Sequence, residues 1–190
     1  MGVGILNAIG VNPYTQTNNM AKTEKTGGEF THKVMECVGE GGRDVSLRSD
    51  ALMSYASPLT GESINIYKAE NYSADNPLYI IKGLDANGNE FEQEIDAGKI
   101  NPNQCSYNEL MVLNVETGHT SPKDYLHAVA VRDKAGTGSY FEKTDYLAYA
   151  RAVMQDQKTM GNWDSYLSYD KWLQSLMAYV SGNYDKMASR

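Results

Sequence analysis

The strongest nucleophile by residue type is Cys105, one of two cysteines among 190 residues. Ser106 follows it and Glu109 stands three residues further on, the spacing of a capping box that opens a helix. A thiol just ahead of a helix N-terminus meets backbone N–H groups and the positive end of the helix dipole, which favour the thiolate. His119 and His127 lie downstream, and a thiol hydrolase needs an imidazole to take the proton. Asp124 precedes His127 by three. On a helix those two side chains share a surface, where the carboxylate orients the ring for base catalysis or metal binding. The plainer alternatives are a semi-buried cysteine beside a helix start and a solvent-exposed Asp124–His127 ion pair.

Other chemistry is thinly represented. The chain has no HExxH, no CxxC and no histidine pair at i, i+4, so no metal and no cofactor is expected. Asp85, Asn87, Asn89 and Asp96 imitate the spacing of a calcium loop, but Glu90 occupies the position that needs glycine. Asn87-Gly88 reads as a tight hairpin turn instead. Phosphate-cradling loops, dinucleotide fingerprints and GxSxG elbows are missing. Glu90, Glu92 and Glu94 alternate as the wet face of a strand and discourage sheet aggregation.

The C-terminal half is rich in tyrosine and holds both tryptophans, Trp163 and Trp172. These side chains offer large contact area with a polar handle, which suits a core edge or a partner surface. Tyr146, Tyr149, Trp163 and Tyr166 cluster about one helix junction in sequence and are the expected binding surface.

Basic residues number 17 and acidic residues 24, a net charge of −7. Without a basic patch such a chain is repelled by nucleic-acid phosphates and anionic lipid, so no nucleic acid and no membrane is expected as partner. Apolar runs fall short of the roughly 18 residues that cross a bilayer. The N-terminus lacks a charged region ahead of Ile5 and Leu6, and Leu6 stands where a myristoylation signal needs Ser or Thr. Two cysteines make no disulfide framework. A cytoplasmic location is the simplest expectation, with export without a cleaved signal peptide as the alternative.

These residues must be positioned by a small number of elements. Residues 1–28 are Asn- and Thr-rich and read as a flexible tail. Residues 29–60 read as short helices and linker, one over 29–38 carrying Phe30, Val34 and Val38, another over 49–55 with Ser49 as N-cap. Residues 61–184 read as a single compact domain. Strands are expected at 62–68, 78–84 and 90–96, joined by the turn at Asp85–Asn89, with Phe91, Gln93 and Ile95 facing inward. Helices follow: one capped by Ser106, one opened by Ser121-Pro122 and reaching about Arg132, one over 144–159, and one from Ser168 to a stop at Gly182. The last presents Tyr169, Trp172, Leu173, Leu176, Met177 and Val180 as an apolar stripe. The class is α+β: a small antiparallel sheet (about 62–96) covered by a C-terminal helical bundle (about 104–182).

Leu84-Asp85-Ala86-Asn87-Gly88-Asn89 followed by Tyr107-Asn108-Glu109-Leu110 resembles uncharacterised hypothetical-protein families of anaerobic Gram-positive bacteria. The resemblance implies a bacterial origin and carries no catalytic residue. Gln104-Cys105-Ser106 is also similar to the Asp-Cys-Ser start of some cell-wall peptidases, but Tyr107-Asn108 replaces their glycine-rich continuation. Two functions are expected in turn: a non-enzymatic protein-binding or assembly module, and a thiol-dependent hydrolase or transferase using Cys105 with His119 or His127.

Overall fold

The structure, a computed structural model, describes residues 34–35, 45–57 and 60–188. The expected tail over 1–28, Cys37 and most of the helix expected at 29–38 lie outside the described residues.

Its centre is a four-stranded antiparallel sheet in the order β3-β4-β5-β6. The strands are β3 (Met53–Ala56), β4 (Ser63–Lys68), β5 (Leu78–Leu84) and β6 (Glu90–Asp96). A two-stranded ladder, β1 (Val34–Met35) with β2 (Leu47–Arg48), lies earlier in the chain. The last three strands of the sheet fall where the alternation of apolar residues puts them. Met53, Ile66, Ile81 and Gln93 line up across the sheet in register. Ile64, Ile66, Tyr79, Ile81 and Ile95 are all buried. The β5–β6 turn is closed by Gly88 at φ 82°, a conformation that suits a residue without Cβ. At Gly83 the reason is space, since a Cβ there would fall 1.7 Å from the Ser63 carbonyl oxygen.

Two expectations for residues 29–60 are corrected. Val34–Met35 is a strand and not part of a helix. Met53–Ala56 is also a strand, and its pairing with β4 makes it part of the sheet and not a linker. The physical reason is burial. Met53 and Tyr55 alternate inward to meet the core, and this period of two outweighs the helical suggestion of Ser49 and Leu52. Leu52 is left exposed.

The other side of the sheet is stitched by Asn65, which is buried on β4. Its Oδ1 accepts from the Arg48 N–H at 2.7 Å and from the Ser54 hydroxyl at 2.8 Å. Its Nδ2 donates to the Ser46 and Lys82 carbonyls. One amide thus ties the segment before β3 across β4 and satisfies its own buried polar atoms.

Four helices complete the described chain: α1 (Tyr107–Glu116), α2 (Pro122–Ala135), α3 (Tyr146–Thr159) and α4 (Trp163–Ala188). A single turn of 3-10 helix, Ala97–Lys99, links the sheet to them. Ser106 forms the expected capping box with Glu109, and Ser121, the expected N-cap of α2, also forms one with Asp124. α1 is buried nearly all round, from Tyr107 to Asn114, as befits a helix enclosed by other elements. Asn108 reaches back to Gln93 on β6 at 3.0 Å, and the Tyr55 and Tyr107 rings meet edge-on at 6.1 Å. These contacts hold α1 against the inward face of the sheet. α2 runs three residues beyond the expected Arg132 and ends at Gly136, whose φ of 67° closes it.

α4 departs further from expectation. It begins at Trp163 and continues through Gly182. Gly182 is not among the glycines with positive φ, so it does not form the left-handed cap that stops a helix. Tyr169, Trp172, Leu173 and Leu176 are buried as the stripe predicts, whereas Met177 is 43% exposed. The buried arc is narrower than the apolar one.

Candidate functional site

Cys105 sits immediately before α1, as its sequence context indicates, but its environment is that of a core residue. Its backbone exchanges hydrogen bonds with Thr144. Its Sγ–H points to the Pro102 carbonyl at 3.8 Å, and the residue has no exposed surface. Burial, assisted by the Glu109 carboxylate, pushes the thiol far above its ordinary value. The expected dipole stabilisation of a thiolate is therefore overturned: desolvation of the charged form exceeds what a helix end supplies. Neither histidine is among the hydrogen-bond partners of Cys105.

His127 is likewise interior. It is 4% exposed and packs at a tilt against the rings of Tyr169 at 4.2 Å and Trp172 at 5.8 Å. Burial lowers its pKa to about 4, against the pull of Asp124 and aided by Lys123 and His119. Its Nδ1 has no hydrogen-bond partner. The expected surface pair of Asp124 with His127 is thus not formed. Asp124 takes His119 instead, with Oδ1 3.1 Å from Nδ1. The reason lies in direction. Asp124 is in the first turn of α2, where its carboxylate bends back to the capping box and so faces the loop carrying His119 rather than the next turn of its own helix.

That exchange creates an arrangement absent from the sequence reading. His119 Nδ1 faces Asp124, and its Nε2 is hydrogen-bonded with the Ser175 hydroxyl on α4. His119 is held by its own backbone N–H, which donates to the Asn114 carbonyl at 2.7 Å. Asp124 is held by Ser121, through backbone and hydroxyl. Burial opposes ionisation of Asp124, but the hydrogen bonds from Ser121 and His119 outweigh it and keep the carboxyl below its ordinary range. Asp124 is therefore an anion beside an oriented imidazole. His119 and Asp124 side chains are each about one-fifth exposed, and Ser175 is half-buried. The sequence carried no local signal for Ser175, which lies 56 residues from His119. Only its place on the edge of the α4 stripe could have pointed inward.

The expected aromatic surface separates into two parts. Tyr146 is buried, with its hydroxyl 3.2 Å from Thr137 Oγ1, and Tyr149 packs against the core. Tyr146 is therefore withdrawn from the surface set: it enters the first turn of α3 on its inner side. Trp163 and Tyr166 remain outside, ring edge to ring face at 5.8 Å. Trp163 is 55% exposed, flanked by Met160 at 68% and Leu167 at 52%. Lys158 lies over the Tyr166 ring at 5.8 Å.

A third polar cluster is largely internal. Glu62, 1% exposed, pairs with Arg132 at 3.2 Å and accepts the Tyr140 N–H. The guanidinium covers the Tyr140 ring at 4.3 Å. Tyr55 packs beside Tyr107, Tyr125 and Tyr140.

The Asp85 carboxylate accepts from the backbone N–H groups of Asn87 and Asn89 and closes the hairpin. Among the described residues no group of His, Cys, Asp or Glu side chains could hold a metal ion. Among them, too, no helix is long and apolar enough to cross a membrane. No family model, no curated protein and no solved structure matches the chain.

Proposed function

We propose that the chain is a protein-binding or assembly module that acts by contact through the turn between α3 and α4. The observation that carries this reading is the exposure of Met160, Trp163 and Leu167, three large apolar side chains at and just after the α3–α4 turn, each more than half exposed. Tryptophan is enriched among residues that dominate binding energy, because it buries much area with few rotamers to freeze. The edge-on contact with Tyr166 holds the indole in one orientation and lowers that cost further. The occupant is another protein presenting an apolar pocket for Trp163. A basic rim on that pocket complements the net charge of −7.

Photocrosslinking in cells of the host, with benzoylphenylalanine at position 163 or at the exposed position 174 on the same helix, tests this. A discrete adduct at 163, missing at 174 and abolished by Leu167→Glu, is the expected result. Equal smears from both positions, or no adduct at 163, overturn it.

The thiol-dependent alternative needs Cys105 accessible and paired with an imidazole. The burial of Cys105 and its bond to Pro102 speak against that use, and the alkylation measurement described below decides it. The free Cys105 thiol fits a reducing, cytoplasmic setting.

A further inference from the structure

We infer that Asp124, His119 and Ser175 form an acyl-transfer site in which Ser175 is the nucleophile, taking small esters with good leaving groups. The inference is independent of the α3–α4 surface. Trp163 and Ser175 are twelve residues apart on α4, about 18 Å along its axis at 1.5 Å per residue.

A carboxylate holds Nδ1–H of the ring, at 3.1 Å. In a neutral ring that leaves the lone pair on Nε2, and Nε2 is the nitrogen at the Ser175 hydroxyl. Acid, imidazole and hydroxyl thus stand in the order that activates a serine, a constellation recognised by geometry and role and not by chain position. A tether between the α1–α2 loop and α4 would need one of these bonds. Here both ring nitrogens are engaged, and each outer partner is itself positioned. Asp124 is fixed by the capping box with Ser121. Ser175 Oγ also lies 3.0 Å from the Trp172 carbonyl, which restrains its rotamer. The hydroxyl has one proton to give. That proton is donated to the Trp172 carbonyl in the resting arrangement; with a neutral ring, Nε2 carries the lone pair that receives it once the hydroxyl turns toward the imidazole.

The fold also sets the limits of the site. Ser175 is inside a helix, so its own amide serves the helical ladder and cannot supply the oxyanion donor that strained serine elbows provide. Such a site suits substrates whose leaving group needs little help, hence activated esters and not amides.

In the first step the Ser175 oxygen bonds to the acyl carbon while its proton passes to His119 Nε2. The bond from that carbon to the leaving oxygen breaks, and the imidazolium returns the proton to the departing alkoxide. In the second step water attacks the acyl-serine, giving its proton to His119. The acid is released, and Ser175 recovers the proton. Atoms and charges balance with the ester and water alone. Ser175 and His119 are the catalytic residues, and Asp124 is a positioning residue.

The full chain treated with diisopropyl fluorophosphate tests this. The Oγ–P bond forms, P–F breaks, fluoride leaves, and His119 takes the hydroxyl proton. Intact mass and peptide mapping should give one adduct, on Ser175, and Ser175→Ala should remove it. His119→Ala should slow labelling at least 100-fold, and added imidazole should restore it. Asp124→Asn should slow it at least tenfold, and Asp124→Glu, which keeps the capping-box residue type, should recover it. Circular dichroism of each variant identifies those that fold, and one folded member of each pair suffices. The absence of an adduct on Ser175 of the folded protein overturns the inference. So does labelling of Ser175 that is indifferent to His119 and Asp124.

Discussion

The indole N–H of Trp172 donates to Oδ1 of Asn114 at 2.8 Å, wholly inside the core. This bond joins α4 to α1 across 58 residues and gives the one polar atom of the largest buried side chain its partner. Asn114→Ala leaves the N–H unsatisfied and should cost about 2–3 kcal/mol. Trp172→Phe removes the bond and opens a void, and should cost about 3 kcal/mol. Urea unfolding should show the double variant losing less than the sum. Strict additivity would mean that the bond contributes nothing.

Glu62 and Arg132 form an ion pair with little access to water, the Glu62 side chain 1% and the Arg132 side chain 12% exposed. Removing one partner strands the other, so Glu62→Gln or Arg132→Met should each cost about 3–5 kcal/mol. Glu62→Met combined with Arg132→Met removes both charges and should recover a large part of that loss. A double variant as unstable as the sum of the single ones would show that the pair's desolvation is not what sets the cost.

His127 should make stability depend on pH in a defined window. Its folded pKa is about 4 against an ordinary 6.5, so the fold prefers the neutral ring. Between those values the unfolded chain binds more protons, and stability rises with pH. The contribution is complete above about pH 6.5 and disappears as pH falls toward 4. His127→Phe preserves the ring contacts with Tyr169 and Trp172 and should flatten the slope in denaturant titrations across that window. An unchanged slope would assign the dependence to other groups.

Cys105 should resist alkylation in the native state. In a Cys37→Ser background, iodoacetamide should label Cys105 only as urea unfolds the chain, with the labelling midpoint tracking the unfolding midpoint. Cys105→Ala should cost ~1–2 kcal/mol through the small cavity it leaves. Native-state labelling with a midpoint near or below pH 7 would mean an accessible, activated thiolate and would revive the thiol-dependent alternative.

Local chemistry by itself determined much of this protein. The strands at 63–68, 78–84 and 90–96 follow from period-two alternation around Ile64, Ile66, Ile81 and Ile95. Asn87-Gly88 sets the hairpin, and Ser106 and Ser121 set the starts of α1 and α2, because turn and cap preferences act within four residues of chain. Tertiary structure decided what depends on contacts far apart in sequence. β3 is a strand because β4 offers it a ladder and the core takes Met53 and Tyr55. Gly182 continues α4 because nothing there requires a left-handed turn. Packing also assigned the chemistry. It buried Cys105 and His127, the residues whose local signals were strongest, and it turned His119 between Asp124 and Ser175, a partner no spacing rule could supply. Caps and turns are written in adjacent residues, whereas burial and side-chain direction are properties of the assembled core.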